Sequence, residues 1–110
     1  MAIFIKTTDP QALLAAIYKA IDNDKIVTWA YDKEGDFTHM TDQWKNLAWL
    51  HPVVLPGELR LGIVKAKDTK MTNVVFGVYH GRFIEMVVTQ FDDLCTSATS
   101  TSQITEFDTV

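Results

Sequence analysis

The chain has 110 residues, 47% of them hydrophobic and 22% charged, with a formal net charge of −4. That length and composition describe one globular domain with a core of its own and exclude a disordered segment. The mild acidity lacks the basic footprint of a duplex nucleic-acid binder, no run approaches the ~18 apolar residues of a membrane span, and the single Cys95 cannot form an internal disulfide. The opening MAIFIKTTDP has no basic region ahead of an apolar stretch and no small-residue cleavage site, so it does not read as a signal peptide, and the expected location is cytoplasmic.

Ala2 to Lys6 reads as a short strand. Asp9 then offers a side-chain acceptor to the free amides of a helix start, and Pro10 fits the first helical position, where no N–H is needed. Leu13, Leu14, Ile17, Tyr18 and Ile21 form one apolar arc of that helix. Asp22-Asn23-Asp24 ends it, with Asn23 expected in the left-handed conformation. Val27 to Asp32 and Asp36 to Thr41 read as a hairpin around Lys33-Glu34-Gly35, with Gly35 supplying the left-handed residue of a three-residue loop. That register opposes Asp32 to Asp36, Tyr31 to Phe37 and Trp29 to His39.

Thr41 to Gly57 is too apolar, with two tryptophans, to be a solvated loop. Asp42 is placed to cap a short helix carrying Trp44, Leu47, Ala48 and Leu50, ending near His51 because Pro52 follows, and Pro56-Gly57 reads as a turn. Leu59 to Lys67 and Val74 to Tyr79 read as strands apolar on both faces and hence buried on both. One face falls to the helices; the other calls for the tryptophan segment or a second subunit. His80-Gly81 then reads as a break before an amphipathic helix from Arg82. At roughly 100° per residue, Phe83, Ile84, Val87, Val88, Phe91, Leu94, Cys95 and Ala98 share an arc about 140° wide, with Met86 alone on the wrong side.

The expected fold is therefore α+β: a single domain with a mostly antiparallel sheet of about four or five strands and two long amphipathic helices on one face, in the order β-α-β-β-β-β-α. Residues 1–98 form the domain. Residues 99–110 are a Ser/Thr-rich tail, mobile or a short edge strand.

No phosphate-loop, dinucleotide, nucleophile-elbow or metal-ligand motif is present, so no cofactor and no metal are expected. Cys95, on an apolar arc, is a small hydrophobe rather than a reactive thiol. The one constellation is the strand-to-helix junction His80-Gly81-Arg82 with Glu85 one turn on, where free amides and a guanidinium suit a carboxylate or phosphate. His39 and Trp44 are the expected neighbours completing it. The leading functional reading is a small binding or interaction protein, with a small anionic ligand and, as partner, itself in a homodimer or another protein. The rival reading is an enzyme using His80, with His39 as the weaker candidate, for acid–base work and Arg82 to anchor an anionic substrate. A third is an immunity- or antitoxin-type inhibitor, whose mild acidity would suit a basic target.

Overall fold

Local signals alone set the first helix and the first hairpin. In the computed structural model, which describes residues 1–110, β1 (Ile3–Lys6) leads to α1 (Pro10–Asp22). The Asp9 carboxylate accepts the Ala12 amide at 3.0 Å, and Leu13, Leu14 and Ile17 face the core. The left-handed residue that ends α1 is Asp24 (φ 57°), one place beyond the expected Asn23 (φ −94°). β2 (Trp29–Tyr31) and β3 (Phe37–His39) pair in the expected register, Trp29 opposite His39 and Tyr31 opposite Phe37, around Gly35 at φ 84°. The opposed aspartates are tolerated because Asp32 turns its carboxylate into the loop, accepting the Glu34 and Asp36 amides at 2.9 and 3.0 Å.

Beyond the hairpin the strands are not those the periodicity suggested. The expected short helix from Asp42 is only a 3-10 turn, Asp42–Trp44, and the rest of that segment is a strand, β4 (Ala48–Leu55). Pro52 lies inside it. The reason is local: β3 pairs with β4 only at Phe37 and Leu50, so β4 has an open side at Pro52 where a missing N–H costs nothing. Pro56-Gly57 turns the chain into β5 (Glu58–Lys65), Gly57 taking φ 73°.

Val74 to Tyr79 is helix, not strand. α2 runs from Asn73 to Gln90, with the Thr72 hydroxyl accepting the Val75 amide as its cap. Buried Val75, Phe76, Tyr79, His80, Phe83, Met86 and Val87 follow the 3.6-residue period throughout. The buried arc is thus rotated from the one expected: Met86 faces inward, and Val88 is 53% exposed. After a second 3-10 turn (Asp92–Leu94), β6 (Ser97–Ser100) pairs antiparallel with β1, straddling the expected start of the tail at residue 99.

The result is α+β as expected: one antiparallel six-stranded sheet, ordered β2-β3-β4-β5-β1-β6, with both helices on one face. Ile3, Ile5, Leu50, Leu59, Leu61 and Ile63 line that face and are fully buried. On the opposite face the chain's own Phe107 packs against Phe4, Arg60 and Gly62, and Thr109 extends the sheet as a parallel bridge beside Val64 of β5. Thr109 exchanges backbone bonds with Ile63 (2.8 Å) and Lys65 (3.1 Å), and the Asp108 carboxylate accepts the Ile63 and Thr105 amides. Phe107 meets Phe4 edge-on at 6.2 Å and lies 3.7 Å beneath the Arg60 guanidinium. Its carbonyl passes so close to Gly62 that a Cβ there would sit 2.0 Å away. No helix is long and apolar enough to cross a membrane.

Candidate functional site

Because α2 is one continuous helix, the expected strand-to-helix junction does not exist. His80, Gly81 and Arg82 are mid-helix, where backbone amides are already spent on the i−4 carbonyls, so no free amides await an anion there. The helical period instead sends the candidates to different flanks. Arg82 and Glu85, three residues apart, point toward the mouth of the β2–β3 hairpin. His80 and Gly81 line a separate cavity toward β6.

The hairpin flank is a cavity of about 330 Å³ lined by Thr28, Trp29, His39, Thr41, Arg82, Glu85 and Met86. His39 is its centre, only 2% exposed at the residue level and stacked on Trp29 with ring centroids 4.6 Å apart. Its Nδ1–H donates to the Thr28 carbonyl at 2.8 Å, which fixes the tautomer and leaves Nε2 as an acceptor. Nε2 then receives the Thr41 hydroxyl at 2.9 Å and Arg82 Nη1 at 3.1 Å. Arg82 Nη1 also reaches Thr41 Oγ1 at 3.2 Å. Burial pushes the His39 pKa below its ordinary value; the Thr28 carbonyl opposes this, and the Arg82 charge adds to it. The imidazole is therefore neutral, as an acceptor from a guanidinium must be.

Arg82 is the unusual member. It forms no ion pair, although Glu85 is one turn on; the ion pair of the molecule is Met1–Asp108, and His51 Nδ1 meets the Asp36 carboxylate at 2.7 Å. Nη1 is spent on His39 and Thr41, and the guanidinium makes no other hydrogen bond. Its remaining donors on an exposed side chain are available to a ligand in the planar fork that matches carboxylate or phosphate.

His80 has the opposite character. It is 4% exposed, with Nδ1 on the Phe76 carbonyl at 2.8 Å and Nε2 on the Met1 carbonyl. Burial drives its pKa down against the pull of those two carbonyls, with the nearby terminal ammonium lowering it and Asp108 raising it. Neither ring nitrogen is open to a substrate, which removes the geometric basis for acid–base work at His80. Trp44 lines neither cavity; its carbonyl accepts the Tyr79 hydroxyl.

Sequence reasoning thus named three residues that the structure brings together, His39, Arg82 and Glu85, and missed Thr28, Trp29, Thr41 and Met86. The Trp29–His39 register carried a signal for one of these, since opposed residues on a face stack. The hairpin acids form a separate group: Asp32, Glu34 and Asp36 hold carboxylate oxygens within 4.8 Å of one another, and His51 Nδ1 meets Asp36 at 2.7 Å. Compared with known proteins, the chain matches no family model, no curated protein and no solved structure.

Proposed function

We propose that this is a small binding protein whose ligand carries a carboxylate or phosphate, held by Arg82 at the His39–Thr41 pocket. The observation that carries the reading is the orientation of Arg82: its one engaged nitrogen leans on a neutral imidazole and a hydroxyl, neither of which neutralises it. An incoming anion completes that charge, and His39 and Thr41 hold the guanidinium in place in advance, which lowers the ordering cost of binding. Glu85 on the same wall disfavours multiply charged anions and selects for a ligand that keeps its own charge near Arg82.

The test is a titration of isotopically labelled protein with inorganic phosphate and with acetate, following the His39 ring nitrogens and the Trp29 indole. Saturable shifts at both, abolished in Arg82→Gln, are expected. Shifts of equal size in that variant, or none in the wild type at high millimolar anion, would remove the proposal.

An enzymatic reading is favoured by one specific feature, the neutral His39 Nε2 facing the cavity beside a cationic side chain. In that reading His39, rather than His80, is the base, and Arg82 anchors an anionic substrate. Loss of a turnover in His39→Gln with anion binding retained would support it; a binding-only protein shows no turnover in either form.

A further inference from the structure

The cavity at Arg82 does not end at Glu85. A second cavity, of about 240 Å³, continues along the same flank of α2 toward the connection between α1 and β2, and shares Thr28, Glu85 and Met86 with the first. Lys25, Val27, Thr89 and Gln90 belong to its far part. The two form one groove, with Arg82 on the first part only and Glu85 at the junction. Glu85 is the only carboxylate on either wall. Val27 is 72% exposed, the most exposed large hydrophobic residue of the chain.

Oppositely charged side chains three residues apart on a helix are neighbours, about 5–6 Å apart at Cβ, and ordinarily meet. Arg82 and Glu85 do not. Arg82 Nη1 is drawn aside by His39 Nε2 at 3.1 Å and Thr41 Oγ1 at 3.2 Å, and Glu85 is left with neither an ion pair nor a hydrogen bond. Two opposite charges therefore stand on one groove, each without a counter-charge. The wall facing them is already fixed. The Thr28 carbonyl accepts the His39 ring and the Met40 amide, both at 2.8 Å. The Lys25 and Ile26 amides both donate to the Ala20 carbonyl, at 2.9 and 3.2 Å, and Ile26 is buried. A ligand here meets a groove that needs little ordering.

We propose that the ligand is a zwitterion, a free α-amino acid, with its carboxylate on the Arg82 fork, its ammonium on Glu85, and its side chain lying over Met86 and Val27 in the second cavity. This rests on the anion reading of the pocket and names the class of anion. A simple carboxylate satisfies Arg82 and is opposed by Glu85; a simple cation does the reverse. A molecule with both charges on one carbon satisfies both, and discriminates against either partial match. It also carries no net charge, so a chain of net charge −4 does not repel it as it would a dianion. Thr28, on the shared wall, has a hydroxyl to accept a second hydrogen bond from the ammonium. The C-terminus of a peptide fits less well, because an amide replaces the ammonium beside its carboxylate and leaves Glu85 without a counter-charge.

Labelled full-length chain is titrated with leucine, N-acetyl-leucine and leucine amide, following the Trp29 indole and the Arg82 and Glu85 amides, with acetate as the control for the pocket itself. Leucine is expected to bind roughly three- to fivefold more tightly than N-acetyl-leucine, which is what one exposed charge pair supplies, and more tightly than leucine amide. In Glu85→Gln, an exposed position where the fold is not at stake, the advantage over N-acetyl-leucine should vanish while acetate binds at least as well as before. In Val27→Ser, leucine should weaken and glycine should not. N-acetyl-leucine equal to leucine in the wild type, the behaviour of a site for a peptide C-terminus, overturns the proposal. So does an advantage for leucine that survives in Glu85→Gln. Acetate binding with no preference for leucine leaves the pocket reading standing and removes this one; no response to acetate, phosphate or leucine removes both.

Discussion

The two flanks of α2 each carry a buried histidine, and the two could hardly differ more. On the hairpin side His39 has one nitrogen fixed by a carbonyl and the other presented to an arginine and a cavity. On the β6 side His80 has both nitrogens on backbone carbonyls. Burial lowers both pKa values, so neither burial nor the direction of the shift distinguishes a working imidazole from a structural one. The second nitrogen does. The flanks also differ in chemistry, donors and acceptors on one and a glycine-floored apolar stripe on the other, because the exposed arc of one helix is divided between them.

The largest effect comes from the core the two flanks share. Phe83 is fully buried, edge-on to Trp29 at 5.2 Å and tilted on Phe37 at 5.3 Å. Phe83→Ala should cost about 3–5 kcal/mol by chemical denaturation. If both flanks rest on one helix, it should also weaken anion binding at the His39 pocket, since Trp29 loses its support. A loss of stability below about 1 kcal/mol would mean that Trp29 and Phe37 close the cavity, and that α2 is held less by this ring than its burial implies.

A smaller effect is the pH response. A histidine whose folded pKa is depressed binds fewer protons in the native than in the unfolded state, so stability rises with pH across that window. It is fully present above the unfolded value of about 6.5 and is lost as pH falls toward the folded values. Both histidines act in this sense. Asp108, held low against its own burial by the terminal ammonium and by the Ile63 and Thr105 donors, adds a loss in the same direction only in stronger acid, below the ordinary carboxylate range. Denaturation midpoints should therefore fall between neutral pH and pH about 5, and His39→Gln and His80→Gln should each flatten the fall. The comparison is sharpened by adding phosphate. It should shift the wild-type profile and the His80→Gln profile alike, and an effect that vanished only in His80→Gln would assign the anion to the wrong flank.

How far the sequence disclosed this arrangement depends on whether the deciding contact was local. Asp9, Pro10 and Gly35 act within four residues of themselves, and α1 and the hairpin, with its Trp29–His39 pairing, were legible from them. α2 was cut in two because Val74, Val75 and Val78 favour strands and Gly81 resembles a break, although the period through Val75, Phe76, Tyr79 and Phe83 and the cap at Thr72 were present in the sequence. Pro52 misled for a different reason. Whether a strand tolerates proline depends on which neighbour it lacks, and β3 leaving β4 after Leu50 is a fact of the whole sheet. The tail was illegible on the same ground, since Asp108 and Phe107 find their partners at Ile63, Gly62 and Phe4. Of the pocket, Arg82, Glu85 and His39 were named but assembled on a junction that does not form; the real assembly needs the helix continuous, so that Arg82 faces the hairpin.

The smallest effect tests why the β6 flank holds glycines at all. Gly81 is exposed and mid-helix, and a methyl group there has open space around it. Gly81→Ala should therefore stabilise the isolated chain by up to about 1 kcal/mol through helix propensity alone, a rise of a few degrees in Tm measured at low micromolar concentration. Gly77→Ala should do the same, and the pair should add only in part, because they are one turn apart. The sign is the informative part. A gain at low concentration that shrinks or reverses at high concentration would show that glycine is worth more to an association than to the fold. A loss at every concentration would instead mean that an alanine methyl is unwelcome on the isolated helix surface, and that the glycines serve the cavity of about 470 Å³ that α2 keeps open beside β6.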